Sequence, residues 1–379
     1  MVQPGPIRVA LDAHVVGRRG TGNETYVVNL AEALATRADV EPLVYVDAAA
    51  GWPGRPPAGL RRLTVKTPFL RIPLELPLRA RRDRAELLHV QYVAPPVAGL
   101  PLVTTIHDVS FEDMPGLFRR RTQERLRWFV RRSARRSAAV VTISKFTRAR
   151  LLHHYDLDPA RVFVTPLAVS PRWHPLAPED RLRRLRGVDI SRPFVLAVGN
   201  MHPRKNVPRL IRATAAARRS GAGDLHVVLA GSRAWRAGEV DVAIDAVDGR
   251  SWIHFLGYVD DDVLQALYGE ARVVAYPSMY EGFGLPVLEA LACGAVVVAS
   301  NAAAIPEAAG DSAVLVDPSR DEDLTDGLLR AASDEALRAR LMKAGPTHAA
   351  PFTWDRVAAG TVEAYRAAVR AGPRDRRTA

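Results

Sequence analysis

The stretch that decides the fold reads Val273-Val-Ala-Tyr276-Pro-Ser-Met-Tyr-Glu281-Gly-Phe-Gly-Leu-Pro-Val-Leu-Glu289-Ala-Leu-Ala-Cys-Gly294. A short β-branched run ending at Pro277 predicts a buried strand over Val273–Tyr276. The apolar residues around Val287–Ala292 predict a helix, with Pro286 suited to its start and Gly294 to its end. Gly282 and Gly284 let backbone amides of the intervening loop approach a ligand closely. The free N–H groups and positive dipole end of the helix then favour phosphate in front of the loop. Glu281 precedes the helix and Glu289 lies inside it, so their carboxylates face different parts of an elongated ligand. Each can accept hydrogen bonds from sugar hydroxyls, one from a hexose and one from a ribose.

Working outward, the same alternation of strand and helix fills the chain. In the second half, strands are expected at Phe194–Val198, Leu225–Ala230, Ile253–Leu256 and Ala295–Ala299, with helices at Val207–Arg219 and Asp261–Tyr268. In the first half, strands are expected at Ile7–Leu11, Glu41–Val46, Leu87–Gln91, Leu102–Ile106 and Ala138–Ile143, with a helix over Glu24–Ala35. Alternation of this kind means parallel strands joined by right-handed crossovers. A chain of 379 residues exceeds what one core supports, so two Rossmann-like domains are expected. The ranges are 1–170 for the first domain, 171–193 for a linker rich in Pro and charge, and 194–350 for the second domain. A C-terminal helix over 351–370, returning to the first domain, and a disordered tail over 371–379 complete the chain.

Charge divides unevenly. Residues 1–190 hold 31 Lys and Arg against 18 Asp and Glu, a surplus of 13, while the remainder is close to neutral. An anionic partner on one half only is expected. Nine arginines lie between Arg119 and Arg136, interleaved with Leu126, Trp128, Phe129 and Val130. A second cluster, Arg79-Ala-Arg-Arg-Asp-Arg84, follows the Pro- and Leu-rich run Phe69–Leu78. Both suit an anionic membrane surface, and a solvated basic helix is the other reading. No nucleic-acid-binding module is present, so no nucleic-acid partner is expected. One cysteine, Cys293, no signal-peptide pattern at the N-terminus and no run of 18 apolar residues together predict a cytoplasmic protein, peripheral at most on the inner membrane face.

Three further segments carry chemistry. Val198-Gly199-Asn-Met-His-Pro-Arg204-Lys205-Asn206 follows the first strand of the second domain and opens its first helix. Its Arg offers a planar fork and its Lys a compact charge to phosphate oxygens. Thr104-Thr-Ile-His107-Asp108 sits at the carboxyl end of a strand, the edge that faces ligands in parallel sheets. The loop Gly17-Arg-Arg-Gly20-Thr-Gly22 lacks the dinucleotide spacing Gly-x-Gly-x-x-Gly, which counts against an NAD-dependent oxidoreductase.

The Glu281-to-Glu289 string resembles the Glu-x7-Glu motif of family-four glycosyltransferases, which adopt the two-domain GT-B fold with parallel sheets facing across a central cleft. The resemblance implies a retaining hexosyl transfer from a nucleotide-diphosphate sugar, without a metal or other cofactor. Glu281 would then meet the donor sugar, Glu289 the ribose, and the amides around Gly282, Phe283, Gly284 and Leu285 the diphosphate. Arg204 and Lys205 resemble the family's diphosphate-binding pair beside Gly199. His107 resembles its histidine near the donor sugar, with Asp108 orienting it. Gly20 and Gly22 resemble a loop over phosphates and acceptor, and Tyr258 and Val259 the segment that reads the base. The spelling around Arg204 is closest to a mannosyltransferase-like branch, so GDP-mannose is the first expected donor, UDP-sugars the second. The acceptor is expected to be lipid-linked, polysaccharide or a small molecule. A non-catalytic nucleotide-sugar-binding protein and an epimerase of the same fold are the alternatives. The acidic run Asp260-Asp-Asp262 reads as a helix cap and first-turn charge, not as a metal site.

Overall fold

The computed structural model describes residues 5–17, 22–65, 67, 70–190, 193–233 and 238–374. The chain forms two α/β units. The first contains the chain up to Ala168 together with the segment from Thr353, and the second runs from Val169 to Phe352.

The first unit is built on a seven-stranded parallel sheet. Its strands are β1 (Ile7–Asp12), β2 (Val40–Asp47), β3 (Leu60–Leu63), β4 (Leu87–Gln91), β5 (Leu102–Ile106), β6 (Ala139–Thr142) and β7 (Val162–Val164), in the spatial order β3-β2-β1-β4-β5-β6-β7. Strands β4, β5 and β6 are buried along their whole length, because crossovers cover both faces of the sheet. On one face the helices Gly22–Ala35 and Trp354–Ala371 pack together. The second helix is anchored where the Tyr365 hydroxyl meets His89 Nδ1 at 2.7 Å.

The second unit carries six parallel strands: β8 (Phe194–Val198), β9 (His226–Ala230), β10 (Ile253–Gly257), β11 (Val273–Tyr276), β12 (Val297–Ser300) and β13 (Val314–Val316). Their order is β10-β9-β8-β11-β12-β13. Val195, Leu229, Val273 and Val298 from the strands pack with Leu210, Leu324 and Leu328 from helices into one core. Each such fully buried side chain is worth roughly 1.5–3 kcal/mol. The region expected as a linker belongs to this unit and carries a helix, Pro178–Arg184, held to the helix Asp261–Glu270 by the Arg181–Glu270 pair at 3.1 Å.

Both sheets reverse strand order once, between β1 and β4 and between β8 and β11. Parallel sheets open a crevice at such switch points, at the carboxyl ends of the strands. The loops after β8 and β11 are the Arg204 and Glu281 segments. Strands β3, β7 and β13 are additions to the expected set. All three are three or four residues long, and β3 and β13 carry exposed side chains, so no apolar run marks them.

Candidate active site

The loop after β8 turns at Gly199 and enters a short 3₁₀ turn, Pro203–Lys205, before the helix Val207–Ala217. The neighbouring strand end needs glycine: a Cβ on Gly231 would lie 2.2 Å from the Gly199 carbonyl oxygen, at a backbone φ of +143°. Asn206 adopts a left-handed conformation, and its side-chain amide donates to the carbonyls of Pro277 and Pro318 at 3.3 and 2.8 Å. The Met279 amide donates to the Arg204 carbonyl at 2.8 Å. The two loops at the switch point are thus fastened backbone to backbone and through Asn206.

That fastening brings three charges together. Arg204 donates from Nη1 to Glu281 Oε2 at 2.6 Å and to the Tyr280 carbonyl at 3.0 Å. Lys205 Nζ lies 2.7 Å from Glu281 Oε1 and donates to the Tyr276 hydroxyl. Burial alone would raise the Glu281 carboxyl, but the charges of Lys205 and Arg204 outweigh it and bring its pKa down to about 2. Burial lowers the pKa of Lys205, opposed by Glu281. With all three ionised, two cations share one anion and the cluster carries one net positive charge. A small pocket beside it, between the ends of β8 and β11, is lined by Gly199, Met201, Lys205, Tyr276, Pro277 and Ser278.

Beyond Glu281 the loop passes Gly282 and the buried ring of Phe283 to Gly284, whose φ of +113° starts the helix Leu285–Ala292. The first turn of a helix has no intrahelical acceptor for its amides, so the backbone from Phe283 to Leu285 offers donors. Glu289, inside that helix, is separated from this cluster. Its carboxylate accepts from the Tyr268 hydroxyl at 3.2 Å. Although Glu289 remains partly exposed, burial of its carboxyl pushes the pKa up to about 8. One motif therefore holds two acidic groups shifted in opposite directions, Glu281 down by its two cations and Glu289 up by burial.

Tyr258 and Val259 follow β10, two strands from β8, and the Tyr258 side chain is exposed. Asp260 sits at the cap position of the helix Asp261–Glu270 but makes no side-chain cap bond, which corrects part of that expectation. Asp261 and Asp262 instead pair with Arg172 and Arg184. Among the described residues no cluster of three or more His, Cys, Asp or Glu is arranged to hold a metal ion.

In the first unit His107 follows β5 and is buried. Its Nε2 lies 2.8 Å from Gln91 Oε1, and the Tyr26 ring stands edge-on at 4.7 Å. Burial lowers its pKa to about 3, so the ring is neutral under ordinary conditions. The expectation that Asp108 orients His107 is corrected: Asp108 Oδ1 accepts from the amide and hydroxyl of Ser110 at 2.9 and 2.7 Å. Gln91 orients the ring instead. It closes β4 at the switch point, and a lone Gln at a strand end carries no motif by which the sequence would mark it. Gly22 begins the helix Gly22–Ala35, and Gly17, at the other end of the glycine loop, donates its amide to Glu24 Oε1 at 2.7 Å. Gly20 lies outside the described residues.

Two doubly wound parallel sheets, one with an Arg–Lys–Glu cluster at its switch point, define an α/β class whose crevice suits an anionic ligand. Comparison with known proteins makes this specific. Residues 179–348 match the family described as glycosyl transferases group 1, and residues 20–173 match glycosyltransferase family 4. The chain is 31% identical over 268 residues to the O-antigen chain mannosyltransferase B of Escherichia coli, covering 70% of each chain. It therefore belongs to the family-four glycosyltransferases. It is also 34% identical over 227 residues to a D-inositol 3-phosphate glycosyltransferase of Rhodococcus opacus, where the match spans 58% of this chain and 51% of the relative. The MMP alpha-(1->4)-mannosyltransferase of Mycolicibacterium hassiacum is 30% identical over 72% of this chain and 66% of its own. Among solved structures, the sucrose-phosphate synthase of Thermosynechococcus elongatus superposes with a TM-score of 0.76 at 21% identity, covering 95% of this chain and 98% of that one. HepE of Anabaena in complex with UDP-glucose gives 0.75 at 18% identity, covering 95% and 99%. The fold is that of the GT-B glycosyltransferases.

Proposed function

We propose that this glycosyltransferase moves a hexose, mannose first, from a nucleotide-diphosphate donor to a carbohydrate or lipid-linked acceptor with retention and without a metal, working in the cytoplasm. The observation that carries the reading is the Arg204–Lys205–Glu281 cluster: two cations held on one carboxylate at the switch point of the second sheet. A diphosphate entering there competes with Glu281 for both cations, and the freed carboxylate oxygens are available to sugar hydroxyls. As the glycosidic bond to the leaving phosphate stretches, negative charge grows on the diphosphate. Arg204, Lys205 and the amides of Phe283, Gly284 and Leu285 would meet that charge.

The two glutamates divide the donor. Glu281 accepts from the sugar, and Glu289 meets the ribose hydroxyls. Gly199 and the loop through Gly20 and Gly22 would approach the phosphates, and Tyr258 and Val259 the base. A neutral His107 hydrogen-bonds the transferred sugar without adding charge. Mannose is favoured because several of the similar relatives are mannosyltransferases. UDP-linked hexoses are the second reading, since similar solved structures hold UDP and UDP-glucose.

The test is transfer to a simple mannoside, or donor hydrolysis, measured across GDP- and UDP-sugars with and without EDTA. GDP-mannose should give the fastest turnover and the largest thermal stabilisation, chelator should change neither, and NMR should show an α-linked product. Turnover by none of the donors, or an inverted product, would remove the reading.

A further inference from the structure

In the first unit one segment is amphipathic in the wrong sense. Over Arg71–Glu75 and the helix Leu76–Arg82, the charged side chains at 71 and 75 point inward. Arg71 is buried and pairs with Asp47 at 2.7 Å, and Glu75 accepts from the amides of Thr64 and Val65 at 2.7 and 2.8 Å. With those contacts setting the rotation, Leu70, Leu74 and Leu78 face outward, at 51, 53 and 61% exposure. Leucines at this spacing form a continuous stripe along one side of a helix. Three leucines exposed side by side, with the charged side chains of the same segment turned inward and paired, form a contiguous apolar patch of the kind that marks an interaction surface.

The neighbourhood says which partner. Right-handed crossovers put the segment 70–82 and the helix Arg120–Arg136 on the same face of the sheet, with the β4–β5 connection between them. That connection is joined to both sides: the Ala94 amide donates to Ser133 Oγ at 2.9 Å, and Gly99 lies against the Arg81 guanidinium. The other exposed large apolar side chains of this unit, among the described residues, are Val97 on the connection and Trp128 on the helix. All five therefore belong to three adjacent segments. Arg121, Arg125, Arg131 and Arg132 are exposed around Trp128, and Arg132 stacks on its ring at 5.5 Å. Arg79 and Arg82 continue the positive charge beside Leu78.

We propose that this face is a docking surface for an anionic lipid bilayer, with Leu70, Leu74, Leu78, Val97 and Trp128 entering the interface and the arginines meeting lipid phosphates. Apolar side chains ringed by arginine are complementary to acyl chains below a layer of negative headgroups. A second copy of this chain would place arginines against arginines. The inference extends the basic-helix reading of Arg119–Arg136 and does not depend on which donor or acceptor the enzyme uses.

The experiment is flotation of the full chain with vesicles of phosphatidylcholine alone or with phosphatidylglycerol added. Wild type should float with the anionic vesicles, less so at high salt, and stay behind with neutral ones. Leu70→Ser/Leu74→Ser/Leu78→Ser should lower the bound fraction about tenfold or more at any salt. Arg121→Gln/Arg125→Gln/Arg131→Gln/Arg132→Gln should remove the salt dependence. Donor hydrolysis and melting temperature, followed for each variant, report whether the fold and site survive, and Trp128→Ala gives a milder variant. Wild type that does not float with anionic vesicles, or a leucine variant that is intact and floats equally, overturns the proposal. So does a dimer in solution that the leucine variant abolishes.

Discussion

At the carboxyl end of β5, His107 is neutral, capped by Gln91 and walled by aromatic rings. At the ends of β8 and β11, three ionised groups are packed into contact. Both positions flank or neighbour a switch point, and both are largely buried, yet one is built from neutral hydrogen bonds and the other from an ion cluster. The difference follows from what desolvation allows. An isolated imidazolium under that much cover has no counter-charge and gives up its proton, whereas Glu281 keeps its charge because two cations lie within 2.7 Å. The surplus of positive charge lies in the first 190 residues, whereas the Arg204–Lys205–Glu281 cluster sits in the nearly neutral second unit.

The comparison breaks first if the ion cluster is dispensable. Replacing both Arg204 and Lys205 by Ala should lower turnover by about two to three orders of magnitude or more, as expected when donors to a developing oxyanion are removed. Rapid-quench measurement at saturating donor would reveal it, and wild-type turnover in the double variant ends the assignment.

A smaller effect is expected from Glu281→Gln, which leaves two partly buried cations without their shared anion. Because the cations keep some solvent, the cost should fall below the full buried-pair penalty, at about 2 kcal/mol, read as a lower unfolding midpoint in denaturant. The pH dependence has a definite sign. Glu281 has its folded pKa depressed to about 2 from 4.5, so its contribution is fully present above 4.5 and is lost as pH falls towards 2. The gap between wild type and variant should therefore be wide at neutral pH and close over that acid window. A gap that persists unchanged to the acid end contradicts the charge assignment.

The least change is expected from titrating the first unit's site. His107 has its pKa lowered to about 3, so it should contribute no inflection to turnover over the range about pH 5 to 8 in which an ordinary histidine titrates. Comparing wild type with His107→Asn checks this: turnover falls in the variant, but the shape of the profile stays the same. An inflection that disappears with His107 would make it an ionising group and erase the contrast.

Much of the architecture is legible in the amino-acid sequence. The strands Leu87–Gln91, Leu102–Ile106, Phe194–Val198 and Val273–Tyr276 coincide with the expected ones, because central strands of a parallel sheet need unbroken apolar runs. Leu60–Leu63 escapes because it spells Leu-Arg-Arg-Leu on an edge. The helix Pro178–Arg184 escapes because its stretch is full of proline and charge. Gln91 escapes because its role exists only once β4 and β5 lie side by side.

Periodicity and local chemistry come from the amino-acid order alone: two runs of alternating strand and helix, a Glu-x7-Glu string, an Arg-Lys pair before a helix, and a basic first half. Those are properties of residues close along the chain. The tertiary structure alone decided that Arg204 and Lys205, more than 70 positions from Glu281, share its carboxylate. It also shifted the two glutamates of one motif in opposite directions and turned Leu70, Leu74 and Leu78 outward. The physical reason is the same in each case. Desolvation and charge contact depend on which elements pack together, and that follows from the order of strands in a sheet, not from spacing along the chain.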